Sequence, residues 1–317
     1  MVKKILITDI VPDFFIWELK KMKFKVDEIP GISYQDCIKI IPQYHGLFIR
    51  SGLFADKALL TQATNLKFIL RPGSGLDIID VDFAISKNII LINSPEGNRD
   101  AVAEHAIGML LALLKKICNA NTEMTNLIFD RQKNTGTELG GKTVGIIGYG
   151  NTGAAFANRL QSFNVRILAF DKYKKNYAPS YVIETHLQTI LNESEIISLH
   201  LPYNSETHYF INKEFISSVK QPFILINTSR GKIVKTSDLV EAIENKKIKG
   251  VCMDVFENEQ FNNLTESQKN ELDFLIKSKK AILTPHIAGK TKESELKIHS
   301  ILIEKLILNQ NKITFTN

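Results

Sequence analysis

Three residues in the C-terminal half of the sequence have side chains suited to acid–base chemistry. Arg230 stands in "NTSRG", Glu259 in "DVFENE" and His286 in "TPH", each where an apolar run gives way to polar residues. Singly, each has a plain reading: a solvated loop arginine, part of an acidic patch, a histidine capping a turn. Together they meet the needs of hydride chemistry on a 2-hydroxy or 2-oxo acid. Oxidation needs a base for the hydroxyl proton, and the ordinary pKa of histidine lies nearest working pH. A carboxylate partner orients the imidazole and stabilises its protonated form. The planar fork of arginine holds a carboxylate and polarises a carbonyl. Cys37, Cys118 and Cys252 have neither metal-ligand spacing nor the look of a disulfide framework. With no Cys/His zinc set, protein groups must polarise the carbonyl.

A hydride reaction needs a carrier, and "GKTVGIIGYGNTGAAF" supplies its binding pattern. Gly148, Gly150 and Gly153 form G-x-G-x-x-G around Tyr149, Asn151 and Thr152, after an apolar strand and before a helix. The first glycine makes the tight turn, the second admits the pyrophosphate to the backbone, and the third lets helix and strand pack closely. The helix N-terminus offers N–H groups to the anion. Asp171, eighteen residues past Gly153, ends the next strand. A carboxylate there hydrogen-bonds an adenosine ribose and repels a 2′-phosphate, so NAD is the expected coenzyme.

These groups need elements to hold them. Apolar runs ending in Gly, Ser, Pro or Asn recur as "KKILITD", "GLFIRSG", "LKFILRPGSG" and "NIILINSPEGN". A second series comprises "KTVGIIGYG", "VRILAFD", "EIISLHLP", "PFILINTSRG", "IKGVCMDVF" and "KAILTPHIAG". Helical stretches such as 57–64 and 81–87 intervene, which predicts parallel sheets with ligands at the strand ends. Residues 101–120 predict one buried helix, apolar nearly all round, followed by a polar segment over 121–137. Residues 258–270 predict an exposed loop or short helix. Residues 291–310 predict an amphipathic helix with Leu296, His299, Ser300 and Ile303 near one face.

The 317 residues suit two domains, and 44% hydrophobic with 23% charged residues are globular values. The net charge of +6 comes largely from lysines in short runs such as "KKMKFK" and "KSKK". No Arg/Lys patch with interleaved aromatics marks a nucleic-acid surface. A solvated basic surface remains, compatible with a small anionic substrate. The N-terminus has no signal-peptide pattern and no stretch long enough to span a membrane, so a cytoplasmic protein is expected.

Several motifs in order resemble the D-isomer-specific 2-hydroxyacid dehydrogenases over roughly residues 48–305. They are "RPGSGLDIIDVDFA", "INSPEGNRDAVAEHAIG", "GTELGGKTVGIIGYGNTG", "SLHLPYNSETHYFI", "FILINTSRGKIV", "LVEAI", "GVCMDVFENE" and "ILTPHIAGKT". The resemblance implies an α/β fold of two parallel-sheet domains, Rossmann-like and flavodoxin-like, with the active-site cleft between them. It implies a discontinuous substrate domain, 1–98 plus 288–317, around an inserted NAD domain, 99–287, whose long first helix builds a homodimer. Arg230 becomes the substrate-binding and catalytic arginine, Glu259 the acidic partner and His286 the acid/base. Backbone amides of Ser74 and Gly75 take the substrate carboxylate, and Asp254 approaches the nicotinamide carboxamide. The coenzyme is lined by Leu199, His200, Leu201, Pro202, Thr207, Thr228, Ser229, Ala288 and Gly289. The chain departs from the family at Asn151 and Thr152, where a basic residue and Ile are common, and at Gln260, where Pro is usual.

Within that family the chain is most similar to short phosphoglycerate dehydrogenases lacking a trailing regulatory domain. Arg50 in "FIRSG" and Arg71 match strand-end arginines, and Arg131 an arginine reaching the partner's site. Three guanidinium groups suit a phosphate, which implies D-3-phosphoglycerate and 3-phosphohydroxypyruvate, a serine-biosynthesis reaction. Phe54 stands where a basic loop is frequent. Glycerate/hydroxypyruvate or glyoxylate reduction is the alternative in which one arginine meets the substrate. A non-enzymatic alternative is an NAD-sensing corepressor, which shares the same three residues; the short stretch after Gln310 favours the enzyme.

Overall fold

The computed structural model describes residues 2–50 and 52–313, so Ser51 of "FIRSG" lies outside the described residues. By internal contacts the chain divides into two units, Met1–Asn98 with Lys290–Asn317, and Arg99–Gly289. The return to the first unit falls two residues beyond the expected 287/288 boundary.

The first unit holds five parallel strands: β1 (Lys3–Ile7), β2 (Phe24–Glu28), β3 (Gly46–Phe48), β4 (Phe68–Arg71) and β5 (Ile90–Asn93). Their order across the sheet is β2-β1-β3-β4-β5. The inner strands read as unbroken apolar runs because helices cover both faces. Strand β2, "FKVDE", has no apolar run to announce it, and its charges suit an edge strand with little burial. One face of the sheet packs Leu47, Ile69, Leu59 and Ala84. The other packs Phe15, Phe48, Phe68 and Leu70 against Leu302, Ile303 and Leu306 of helix Lys292–Leu308. That helix starts in a capping box, Thr291 with Ser294. Its buried stripe includes Ile298, His299 and Leu302, while Leu296 is 53% exposed. The expected face is therefore corrected: Leu296 lies outside the helix's buried stripe and Ile298 lies in it. Lys305 ties the helix to the strand ends, donating to the Asn93 carbonyl at 2.9 Å and to Glu96.

The second unit holds seven parallel strands: β6 (Thr143–Ile147), β7 (Arg166–Phe170), β8 (Ile183–Glu184), β9 (Ile196–Leu199), β10 (Phe223–Asn227), β11 (Ile248–Met253) and β12 (Ala281–Leu283). The order β12-β11-β10-β9-β6-β7-β8 is that of a doubly wound dinucleotide-binding sheet, with its switch point between β6 and β9. The helix expected over 101–120 is two helices, Arg99–Leu114 and Ile117–Thr125. Lys116 breaks it with a left-handed φ of 55°. The cause is local: the Thr137 N–H takes the Leu114 carbonyl at 2.9 Å, the acceptor that a continuing helix would need. The stretch 258–270, expected as an exposed loop or short helix, leads into a twelve-residue helix, Glu266–Lys277, started by a Thr265–Gln268 capping box. Among the described residues no helix is long and apolar enough to cross a membrane.

Candidate active site

The three candidate chemical residues lie in the second unit, each after a strand on one side of the switch point: Arg230 after β10, Glu259 after β11, His286 after β12. His286 has a left-handed φ of 54°. This strained conformation persists because neighbouring groups fix it: its N–H donates to the Asp254 carbonyl at 2.7 Å. The imidazole Nδ1 lies 2.8 Å from Glu259 Oε2, which leaves Nε2 for a reacting proton. Burial pushes the Glu259 carboxyl up, but the hydrogen bond and charge of His286, the Phe256 N–H and the Arg230 charge outweigh it and hold it below the usual range. Glu259 is therefore the anionic partner at neutral pH. Arg230 is half-buried; its Nη1 donates to the Ser229 carbonyl at 2.8 Å and its own carbonyl accepts from Asn227 at 3.0 Å.

Two contacts missed at the sequence level bind these loops together. Glu257 accepts from the Thr236 N–H at 2.5 Å and the Tyr209 hydroxyl at 2.6 Å. A Cβ built on Gly231, next to Arg230, would collide with the Phe256 carbonyl, so the Arg230 and Glu259 loops touch through a glycine. Asp254 is buried, and both its oxygens serve the His286 loop: Oδ1 accepts from the Thr284 hydroxyl at 2.5 Å and the Ile287 N–H at 2.9 Å, and Oδ2 from the Ala288 N–H at 2.7 Å. His105 Nε2 lies 2.9 Å from the Thr284 hydroxyl oxygen and extends the chain. Thr284 stands two residues before His286 in "TPH", the one sequence cue to this arrangement.

The glycine loop shows what each glycine is for. Gly148 has φ +90°, and a Cβ there would strike the His200 carbonyl; one on Gly153 would strike the Gly148 carbonyl. Gly150 differs: a Cβ built on it meets nothing within 4 Å. Internal packing does not require glycine there, so the bare backbone suits close approach by an external group. Gly150 opens helix Asn151–Leu160 with no side-chain cap, leaving the first-turn N–H groups for an anion. Asp171 is fixed at the tip of β7 by the N–H groups of Tyr149 at 2.9 Å and of Tyr173 and Lys174 at 3.0 Å each. Burial raises its pKa, and these three bonds with the Lys174 charge more than reverse the effect.

The departure at Thr152 has a structural counterpart. Its hydroxyl lies 3.2 Å from Nδ1 of His200, whose Nε2 lies 2.9 Å from Ser198. Burial pushes the His200 imidazole down to about 3, so it is neutral. Ser229 donates to the Leu199 carbonyl at 2.6 Å and accepts from the Leu201 N–H at 3.2 Å. Thr207 donates to the Pro202 carbonyl at 2.7 Å, closing its own loop. Thr228 Oγ1 is buried without a hydrogen-bond partner, an orphan suited to a ligand atom. An open backbone at Gly150, a fixed anion at Asp171 and this orphan hydroxyl fit a dinucleotide. No group of three or more His, Cys, Asp or Glu among the described residues could hold a metal ion.

In the first unit Gly73, with φ +87°, turns the chain after β4, and its N–H donates to Ser94 Oγ at 3.1 Å. The Ser74 carbonyl accepts from Asn93 at 3.0 Å, whereas the Ser74 and Gly75 N–H groups meet no acceptor among the described residues. Arg71 donates to the Pro72 carbonyl. Arg50, expected among the substrate-binding arginines, has both terminal nitrogens on Glu295, each at 2.8 Å. Arg131 is exposed in the connection before β6 of the second unit.

Residues 107–288 match the family described as "D-isomer specific 2-hydroxyacid dehydrogenase, NAD binding domain". A D-3-phosphoglycerate dehydrogenase of Archaeoglobus fulgidus is 33% identical over 96% of this chain and 56% of its own length. The chain thus spans about half the length of such curated relatives, as with the Synechocystis protein at 53%. A hydroxypyruvate reductase of Thermotoga maritima is 34% identical over 87% of this chain and 88% of its own. The solved structure of an Aquifex aeolicus D-lactate dehydrogenase with NAD and lactic acid superposes with a TM-score of 0.83, at 28% identity, covering 98% of this chain and 96% of that one. The chain belongs to the D-isomer-specific 2-hydroxyacid dehydrogenase family.

Proposed function

We propose that the protein is an NAD-dependent oxidoreductase interconverting a short D-2-hydroxy acid and its 2-oxo acid. The observation that carries this reading is the 2.8 Å contact between His286 Nδ1 and Glu259. It fixes one imidazole nitrogen and leaves the other for the substrate oxygen. In the reductive direction protonated His286 gives its Nε2 proton to the carbonyl oxygen, and in the oxidative direction it takes the hydroxyl proton back. Glu259 steadies the imidazolium formed. Arg230 supplies the cation that polarises the carbonyl and holds the acid's carboxylate. When bound, the nicotinamide supplies or accepts the hydride. The Gly148–Gly153 loop, Asp171 and Thr228 hold the coenzyme, and Asp171 favours NAD over a 2′-phosphorylated dinucleotide. Asp254 positions the His286 loop, keeping lone pairs for a carboxamide. Substrate candidates are the acids suggested by the relatives' names, hydroxypyruvate and 3-phosphohydroxypyruvate.

A homodimer is part of the proposal. Ile117, Met124, Leu127 and Phe129 are 54%, 52%, 93% and 78% exposed and near in sequence, a concentration of apolar surface that suits burial against a second copy.

The test is His286→Ala with NADH and a panel of 2-oxo acids. Turnover should fall by roughly 10²–10⁴-fold, the usual worth of a general acid–base group, with NADH affinity kept. Unchanged turnover overturns the assignment.

A further inference from the structure

The carboxylate that meets His286 is held by few bonds of its own. Glu259 reaches the imidazole at 2.8 Å, while the Phe256 N–H lies 3.5 Å from Oε1, near the limit of a hydrogen bond. Its side chain is 42% exposed, so packing does not fix it. The two residues before it supply anchors. Asn258 donates to the Asn263 carbonyl at 3.1 Å and to Gln268 at 3.3 Å. Glu257 makes the shorter pair, accepting the Thr236 N–H on Oε1 at 2.5 Å and the Tyr209 hydroxyl on Oε2 at 2.6 Å.

Both partners of Glu257 belong to the framework around Arg230. Thr236 opens the helix Thr236–Glu244, whose N-cap residue, Lys235, makes no side-chain bond. Glu257 therefore satisfies a first-turn N–H at the positive end of that helix. Tyr209 holds a left-handed φ of 49°, unfavourable for a bulky side chain. Such strain persists where the surroundings over-determine it. Here the Tyr209 N–H donates to the Lys232 carbonyl at 2.8 Å, the Ile211 N–H to Ile233 at 2.9 Å and the Lys235 N–H to Ile211 at 2.9 Å. The Glu257 hydrogen bond and burial push the Tyr209 phenol up to about 12, so it stays a donor at neutral pH. The same two loops touch at Gly231, where a Cβ would strike the Phe256 carbonyl. Closer approach is blocked by that contact, and separation is opposed by the Glu257 bonds.

We infer that Glu257 is a positioning residue for the proposed reaction: it fixes the Glu259 loop against the Arg230–Thr236 segment and so sets where the Glu259 carboxylate meets His286. The inference rests on the proposed reductase activity and adds a residue to it. A helix cap and nothing more would contribute stability alone. Positioning makes turnover depend on Glu257 through Glu259, and a misplacement of ~1 Å at a reacting group can cost about a hundredfold.

The experiment is a double-mutant cycle. It measures kcat at saturating NADH with hydroxypyruvate, glyoxylate and pyruvate, per NADH-binding site, so that unfolded protein is not counted. Glu257→Ala should lower kcat by about tenfold to a hundredfold. In a Glu259→Gln background the same change should cost no more than about twofold, because residues acting as one unit are not additive. Glu257→Gln keeps an acceptor for Thr236, and the Tyr209 hydroxyl can turn to accept from its amide, so it should restore most of kcat. Tyr209→Phe removes one anchor only and should show a smaller loss with the same dependence on Glu259; it carries the test where Glu257→Ala fails to fold. Equal losses in both backgrounds, unchanged kcat in Glu257→Ala, or a Glu257→Gln as slow as Glu257→Ala overturns the inference and leaves the reductase reading intact. A wild type that reduces none of the three acids overturns both.

Discussion

Replacing Gly150 by alanine separates what the glycine loop does for the fold from what it does for the coenzyme. Gly150 has φ −86° and ψ −156°, so an alanine pays no left-handed penalty there, and its Cβ meets no protein atom within 4 Å. Substitutions of this kind leave stability unchanged or raise it by about 0.4–1 kcal/mol through the unfolded chain. The methyl group instead enters the space left for the pyrophosphate. Holding a phosphate oxygen off the backbone by even ~1 Å stretches a hydrogen bond of about 2.9 Å beyond its useful range. Hydrogen bonds to charged groups contribute roughly 1.5–3 kcal/mol each. Losing one weakens NADH binding by about tenfold to a hundredfold. Gly153→Ala is the contrast: its Cβ collides with the Gly148 carbonyl, so stability and binding should fall together. The assay pairs an NADH fluorescence titration with a thermal melt on each variant. Wild-type NADH affinity in Gly150→Ala, or a melting temperature lowered as far as in Gly153→Ala, refutes the reasoning.

Two further outcomes are expected. The lowered pKa of Glu259 means that the stability it contributes is present above the ordinary glutamate value of about 4.3 and is lost as pH falls through its lower folded value; the melting-temperature gap between wild type and Glu259→Gln should therefore stand at pH 6 and close in strong acid. Leu127→Glu with Phe129→Glu should convert a dimer to a monomer in light scattering, with the melting transition of each unit still cooperative.

What could be read from the residues was local or ordered along the chain. The glycine loop sits in a strand–loop–helix context that its own neighbours specify, and Glu259 and His286 end consecutive strands of one sheet, so topology brings them together across 27 residues. The Thr265–Gln268 capping box was also visible in principle, as Thr followed three residues later by Gln. The rest depended on distant partners. Lys116 ends a helix because Thr137 takes a carbonyl, and nothing in the apolar pattern of 101–120 announces that. The carboxylate that Arg50 binds could not be read from its surroundings, because Glu295 lies 245 residues away. Edge strands β2 and β8 carry little apolar signal because they bury little.

The packing of helix Lys292–Leu308 against Phe15 and Phe48 sets a timetable for synthesis. The apolar face formed by the first 98 residues lacks its cover until the last helix has been made. At about 5–20 residues per second on the ribosome, the intervening unit takes roughly ten to forty seconds to emerge. The middle of the chain can thus mature before its beginning, reversing the usual vectorial order, and for that interval an uncovered aromatic surface is open to chaperones or to the same surface on a neighbouring nascent chain.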